Sequence, residues 1–350
     1  MPAHSGSRRA GRARRRRCAD VLTLPEYEWV APASLAELLR HLEQHGAESL
    51  LVAGGTDAVP NLKHRLHEPR YLVHLGSIPE LAFQRDEPDG LHLGPRVRLS
   101  ELASSPLIRR DFPSLAKAAG LVAGPQLRSM GTLGGNLCLD TRCTYYNQTF
   151  FWRESLGFCL KKSGTVCHVV PTGKRCVAAH SSDVAPVLIT LEAEVEIAGP
   201  AGRRTTPVND FFVGDGIHNN VLQRNELVTR IFVPARSRGL AAGYQKLRPR
   251  QAIDFPMLSV AFAARLDGGS KVETARLCVS AIAARPRVIG VGETARGRAL
   301  DVALAEELGS MAHRTCHPLI NVPYDQEYRR EMVPVYVKRA VLEAAGAFPP

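Results

Sequence analysis

Four of the chain's eight cysteines fall in one stretch, "CTYYNQTFFWRESLGFCLKKSGTVCHVVPTGKRC". They are Cys143, Cys159, Cys167 and Cys176, spaced C-x15-C-x7-C-x8-C. A structural zinc site ordinarily includes a C-x2–4-C knuckle, and this stretch has none. A cubane iron–sulfur cluster needs four thiolates and tolerates irregular spacing. From spacing alone three readings stand open: an iron–sulfur cluster, zinc, or unliganded thiols. A chain of 350 residues buries enough apolar surface to fold without covalent staples. No signal peptide is legible, so the expected compartment is the cytoplasm, where clustered cysteines are metal or redox sites rather than disulfides. Cys138, five residues upstream of Cys143, is a substitute candidate of lower rank because it directly follows a glycine loop. Cys18, Cys278 and Cys316 read as plain residues, and His168 and His180 as surface histidines.

Glycine pairs are the other chemistry-bearing feature. A Gly-Gly after a strand lets backbone N–H groups approach an anion closely. The pattern occurs in Leu51-Val52-Ala53-Gly54-Gly55-Thr56-Asp57 and again in Gly131-Thr132-Leu133-Gly134-Gly135-Asn136. Neither matches the Rossmann G-x-G-x-x-G or a Walker loop. A tight turn explains either one equally well. Two in one domain suit a long diphosphate ligand cradled from both sides, as in a dinucleotide. Taken alone, Asp183 reads equally as a helix N-cap before "APVLITL", and Lys246 equally as a solvated strand lysine.

The elements that must hold these residues begin near Val21. "SLAELLRHLEQHGAES" is an amphipathic helix with a Ser34/Glu37 capping-box pattern and Gly46 placed to stop it. Leu50–Ala53 reads as a short buried strand running into the first glycine pair, and "YLVHLGSI" as a second strand. "GLHLGPRVRLSELASSPLI" reads as strand, turn and a helix capped by Ser100, and "FPSLAKAAGLVA" as a helix before a glycine-rich loop. The segment 141–180 interrupts this pattern, and its six aromatics in 40 residues suggest a small core of its own. "DVAPVLITLEAEVEIAGPAG" then resumes helix and strand, and "NELVTRIFVP" is a strand ending at Pro234. From Gly243 the chain alternates like an antiparallel sheet with a turn at Asp267-Gly268-Gly269. Two helices follow, the second bent or delayed by Pro334. The fold expected is α+β, with residues 1–20 a disordered tail, 21–235 one domain carrying the 141–180 insert, and 240–348 a second, smaller one.

The net charge of +11 is uneven, with seven arginines and no acid among residues 1–18. A nucleic-acid arm lacks a basic fold behind it, and a twin-arginine export signal lacks its apolar segment. The tail reads as a disordered extension, with no nucleic-acid partner expected. No apolar run approaches the roughly 18 residues of a membrane span, so no membrane association is expected.

"VAGGTDAVPNLK", "RSMGTLGGNL", "SSDVAPVLITLEAEVEI" and "YQKLRPRQAIDFPMLSVAFA" resemble the FAD-binding subunits of the xanthine dehydrogenase and carbon monoxide dehydrogenase family, in order and spacing from about Val21 to Phe348. The resemblance implies a non-Rossmann FAD domain of two α+β subdomains, followed by a smaller domain of antiparallel sheet and helices. It also implies that the two glycine loops wrap the FAD pyrophosphate, that Asp183 contacts the flavin nucleotide, and that Lys246 lies near the flavin ring. Such residues bind and tune, while the isoalloxazine carries the electrons.

Most members run almost directly from "GGNL" to "D-x-A-P". The insert of about 40 residues here resembles that of the flavin subunits of 4-hydroxybenzoyl-CoA reductases, with "DTRCTYYNQTFFWR" followed by cysteines at these intervals. That likeness implies a [4Fe–4S] cluster on Cys143, Cys159, Cys167 and Cys176. It further implies a molybdopterin-binding large subunit, a [2Fe–2S] small subunit, a dimer of heterotrimers, and ferredoxin as electron donor for reductive dehydroxylation of 4-hydroxybenzoyl-CoA to benzoyl-CoA. Six basic residues against Glu154 alone in 141–180 either offset the cluster's charge or offer a docking face for an acidic donor. The rival readings are a flavin subunit of a hydroxylating dehydrogenase passing electrons outward, and a zinc-stabilised binding protein without redox chemistry.

Overall fold

In a computed structural model the structure describes residues 22–250, 252–323 and 325–347. The arginine-rich tail with Cys18 lies outside them. The first unit is a three-stranded parallel sheet, order β1-β3-β2, built from β1 (Glu28–Val30), β2 (Ser49–Val52) and β3 (Tyr71–His74). Helix α1 (Leu35–His45) connects β1 to β2 and buries Leu35, Leu38 and Leu42 on its apolar stripe. Ser34 caps it by accepting from the Glu37 N–H at 3.2 Å, as the capping-box pattern predicts. Gly46 does not end the helix in a left-handed turn. Its φ is −56°, and the chain continues into a 3₁₀ turn. Glycine is needed there for proximity, because a Cβ would stand 2.8 Å from Asn225. Short helix α2 (Ala58–Lys63) follows the first glycine pair and returns the chain to β3.

The second unit is a five-stranded antiparallel sheet, order β4-β5-β8-β6-β7, from β4 (Gln84–Glu87), β5 (Gly90–Leu93), β6 (Glu194–Gly199), β7 (Gly202–Pro207) and β8 (Leu227–Pro234). Between β5 and β6 run α3 (Leu99–Ser104), α4 (Pro106–Asp111), α5 (Pro113–Gly120), α6 (Pro125–Arg128), α7 (Leu133–Leu137), α8 (Phe150–Ser155) and α9 (Val184–Thr190), with α10 (Val208–Phe211) following β7. Ser100 is not the cap of α3. That place belongs to Arg98, whose backbone N–H is taken by Glu101 Oε2 at 3.1 Å. The second glycine loop is not loop throughout, since Leu133–Leu137 closes as a helical turn capped by Thr132.

The third unit is a four-stranded antiparallel sheet, order β12-β11-β10-β9, from β9 (Ala241–Leu247), β10 (Leu258–Leu266), β11 (Val272–Ser280) and β12 (Arg287–Ile289). Short helix α11 (Gly292–Ala295) leads to α12 (Val302–Thr315) and α13 (Gln326–Ala344). The half-polar alternation expected of this sheet gives way to burial on both faces. Leu258, Val260, Phe262 and Ala264 of β10 pack under α12 and α13. Ala261 and Ala263 of the same strand join Val184, Leu188 and Leu115 in the core of the second unit. Alternate residues of a strand face opposite ways, so one strand serves two cores. Pro334 sits inside an unbroken α13. No helix among the described residues is long and apolar enough to cross a membrane.

Arg329 of α13 is fully buried and donates to the carbonyls of Met257 at 2.9 Å, Leu319 at 2.8 Å and Ala281 at 2.8 Å. Burial alone lowers its pKa to about 10. Arg329→Met strips three buried carbonyls of their donor, at about 1–3 kcal/mol each. Thermal unfolding should show a markedly lower midpoint for this variant and no change for Arg330→Met next to it on the exposed face.

Candidate functional site

The two glycine loops, 51–57 and 131–136, are pressed together. Gly54 lies so close to the Met130 carbonyl that a Cβ would stand 1.9 Å from its oxygen. Gly55 has a φ of +70°, the left-handed region that glycine enters without strain. Leu51 and Val52 end β2, Ala53 to Thr56 form the turn, and Asp57 opens α2. In the second loop Thr132 Oγ1 accepts from the Gly135 N–H at 3.1 Å. The carbonyls of Pro95 and Val97 hold the Gly134 and Leu133 N–H groups at 2.8 and 2.9 Å. Gly131 and Gly134 are buried and Gly135 is exposed. Asn136 faces inward, its Oδ1 accepting from Ser182 Oγ at 2.8 Å and from the Val184 N–H at 3.2 Å.

Asn136 thereby fixes the start of α9, where Asp183 sits. Asp183 does not cap the helix with its side chain. Its carboxylate accepts from Tyr244 Oη at 2.6 Å and Lys246 Nζ at 2.9 Å, the acid and the lysine being 3% and 1% exposed. Lys246 also donates to the Leu121 carbonyl at 3.0 Å, so it is not a solvated strand lysine. Burial pushes the Asp183 carboxyl up, and Lys246 and Tyr244 pull it back.

The four cysteines of the insert converge. Cys143, Cys159, Cys167 and Cys176 line one pocket with Tyr145, Tyr146 and Val169, each 6–9% exposed. All four are free thiols. Burial raises the Cys143 thiol to about 11, and it raises Cys176 as well, against the Ala178 N–H and Lys161, which lower it. Around a single zinc ion thiolates stand about 3.8 Å apart, from the 2.3 Å bond and tetrahedral angle. Among the described residues no three of these sulfurs lie within 4.8 Å of one another. Four buried thiols from one insert are a donor set that either a zinc ion or an iron–sulfur cluster takes. Cys138 does not line the pocket. It ends α7 against the main core, and burial pushes it up to about 12. Cys278 and Cys316 are buried in the cores of the second and third units.

The insert's core is made of Cys143, Cys159, Cys176, Tyr146 and Ala178, with Leu66 from outside the insert, not of its aromatics generally. Phe151 is 79% exposed, and Trp152, Leu156 and Val166 are exposed too. Three of its six basic residues are engaged internally. Arg142 pairs with Asp57 and stacks over Phe255 at 4.2 Å, Lys161 pairs with Asp140 at 2.7 Å, and buried Arg153 holds the carbonyls of His64 and Arg65. Lys162, Lys174 and Arg175 remain for a docking face. His180 is not a surface histidine but fully buried, its Nδ1 paired with Ser280 Oγ at 3.1 Å and its Nε2 without a partner.

Sequence reading missed the residues that join these sites. Arg142 bridges the thiol pocket and the first glycine loop, Asn321 anchors the insert through Thr144 and Val177, and Gly216 walls Cys176. Arg142 could have been suspected as a charge beside Cys143. Asn321 and Gly216 lie far along the chain and carry no local signal.

Two glycine loops thus meet across an α+β pair of subdomains without Rossmann topology. Residues 25–236 match the FAD binding domain in molybdopterin dehydrogenase, and residues 243–344 match the CO dehydrogenase flavoprotein C-terminal domain. The chain belongs to this family of FAD-binding medium subunits. It is 30% identical over 324 residues to the carbon monoxide dehydrogenase medium chain of Hydrogenophaga pseudoflava, covering 92% of this chain and 98% of that one. It is 25% identical over 326 residues to the nicotine 6-hydroxylase medium subunit of Paenarthrobacter nicotinovorans, covering 93% and 99%. A solved carbon monoxide dehydrogenase from Hydrogenophaga pseudoflava superposes with a TM-score of 0.76 at 28% identity, over 93% of this chain and 100% of that one.

Two outcomes follow from this geometry. Lys246→Met leaves the buried Asp183 carboxylate uncompensated, a loss of about 3–5 kcal/mol, so differential scanning calorimetry should show a large drop in stability that Asp183→Asn in the same chain partly restores. Burial lowers His180 from 6.5 to about 3. Between those values the unfolded chain binds a proton that the folded chain refuses, so stability falls as pH falls, by up to about 1.4 kcal/mol per unit. The melting temperature of His180→Asn should decline less between pH 7 and 5 than that of the parent protein.

Proposed function

We propose that the chain is the FAD- and [4Fe–4S]-carrying electron-transfer subunit of a molybdenum reductase of the 4-hydroxybenzoyl-CoA type. The observation that carries this reading is the convergence of Cys143, Cys159, Cys167 and Cys176 on one buried pocket, in an insert tied to the first glycine loop by Arg142. Leu51, Val52, Ala53, Gly54, Gly55, Thr56 and Asp57 on one side, and Gly131, Thr132, Leu133, Gly134, Gly135 and Asn136 on the other, would hold the FAD pyrophosphate, with Asp183 and Lys246 behind the nucleotide. Bound there, FAD supplies the conversion between one- and two-electron transfer. The protein presses backbone against the diphosphate, keeps the buried pair in place, and excludes water behind it.

The partners are a molybdopterin-binding large subunit and a [2Fe–2S] small subunit, in a dimer of heterotrimers. Reduced ferredoxin is the donor, and it docks on the insert through exposed residues such as Phe151, Val166, Lys174 and Arg175. At the molybdenum site two electrons and two protons convert 4-hydroxybenzoyl-CoA to benzoyl-CoA and water. A low-potential cluster beside the flavin suits this direction, since iron–sulfur potentials extend to about −700 mV. The thioester site is assigned to the molybdopterin-binding large subunit, so this chain alone does not catalyse the reaction.

A second reading, a flavin subunit passing electrons outward from a hydroxylase, is favoured by the dehydrogenases and the hydroxylase among the relatives. The insert opposes it.

Chemical analysis of the chain, purified without oxygen with its partner subunits, separates the two. The expected result is that Cys159→Ser loses about four iron and four acid-labile sulfide per FAD relative to the parent, while the [2Fe–2S] iron of the small subunit and the flavin stay. Equal iron in both preparations, or zinc in the insert, sinks the electron-entry role. Reduced ferredoxin rather than NADH should bleach the flavin, at a rate that falls as salt rises. A salt-independent rate removes the docking face.

A further inference from the structure

We propose that Lys161 and its counter-ion Asp140 set the reduction potential of the centre held by the four-thiol pocket, Lys161 favouring the reduced form and Asp140 opposing it. This rests on the reading of that pocket as an iron–sulfur site. Lys161 lines the pocket together with all four cysteines. Its side chain is only 5% exposed, and its Nζ lies 4.4 Å from the centroid of the Tyr146 ring, itself a pocket wall. Nζ donates to Asp140 Oδ1 at 2.7 Å, to the carbonyl of Gly216 at 2.7 Å, to the carbonyl of Thr141 at 3.1 Å and to Thr141 Oγ1. Only one of these four acceptors carries charge.

Gly216 places this cation against the thiols. Its N–H donates to the Cys176 carbonyl at 2.9 Å, and a Cβ on it would stand 2.7 Å from Cys176 Sγ. The carbonyl that anchors Nζ therefore belongs to a residue in contact with a ligand sulfur. The neighbour Lys162 has no such place. Its N–H closes the turn at the Cys159 carbonyl at 2.9 Å, and it is absent from the thiol pocket, bordering only the open cleft on whose wall Lys161 and Asp140 also stand.

Burying an ammonium costs several kcal/mol unless charge is returned to it nearby. One carboxylate, 23% exposed, returns part of it, and four thiolates with their metal supply the rest. Through a low dielectric a fixed charge at this range acts strongly on an added electron, and net charge around the sulfurs is one of the settings of a cluster's potential. Lys161 is thus a positioning and tuning residue, not a ligand.

The test is an EPR-monitored redox titration of the enzyme purified with its partner subunits, comparing the parent with Lys161→Met, Lys161→Arg and Asp140→Asn. Lys161→Met should shift the cluster's midpoint potential negative, Asp140→Asn should shift it positive, and Lys161→Arg should stay near the parent. Opposite signs are the signature, since loosening of the insert moves both variants the same way or only sheds iron. Unmoved potentials, or shifts of one sign, overturn the proposal. If Lys161→Met fails to retain iron, Asp140→Asn decides, and the absence of a positive shift overturns it. A parent enzyme with no iron in this chain defeats the cluster reading itself and this inference with it, whereas a parent with a cluster and insensitive potentials defeats this inference alone.

Discussion

The buried pair of Asp183 and Lys246 is the contact on which the arrangement turns. An ionised carboxylate away from water is tolerated only with an opposite charge and hydrogen bonds at hand. Here the charge comes from β9 of the third unit, and the acid from the start of α9 in the second. Lys246 reaches past it to the Leu121 carbonyl, just beyond α5. Asn136 at the end of the second glycine loop fixes the residues flanking Asp183. One ion pair thus holds the register of a strand, two helices and a cofactor loop. The two-sided burial of β10 beside it makes the third unit part of the same packing rather than an appended lobe.

The insert is joined to this frame at its base and sides. Arg142 and Ala179 pair backbone to backbone at 2.8 and 2.7 Å, closing its two ends. From there Arg142 crosses to Asp57, Arg153 to the end of α2, and Thr144 to Asn321. These are polar contacts to backbone or to single charges, and Leu66 just beyond α2 adds an apolar one by joining the insert's own core. The cysteines and Tyr146 make up most of its interior. Much of its basic charge serves to fasten it, which narrows the face left for a partner.

Several elements were legible from local chemistry. The Ser34 cap, the strand ahead of the first glycine pair and the hairpin at Asp267 follow from residue preferences that act over a few positions, and each is present. Gly46 stops α1 as read, as its C-cap residue. Ser100 was misread: its preference for a cap is real, yet Arg98 holds the cap position of α3. The alternation of β10 was read as one wet face because sequence does not reveal that two different cores claim its two sides. His180 looked like a surface residue because no local pattern marks burial at the seam of three elements.

By itself the sequence determined the α+β class, the two glycine loops, the interruption at 141–180 and the set of four thiols. These depend on composition, short-range backbone preference and spacing, which are properties of neighbours in the chain. Only the tertiary structure decided that Gly54 rests on the Met130 carbonyl, that Asp183 faces Lys246, that Cys138 stands apart from the other four thiols, and that Lys161 rather than Lys162 is enclosed beside them. Each of these couples groups tens of residues apart, or separates groups adjacent in the chain. Their energies come from desolvation and close approach, which exist only once the chain has packed.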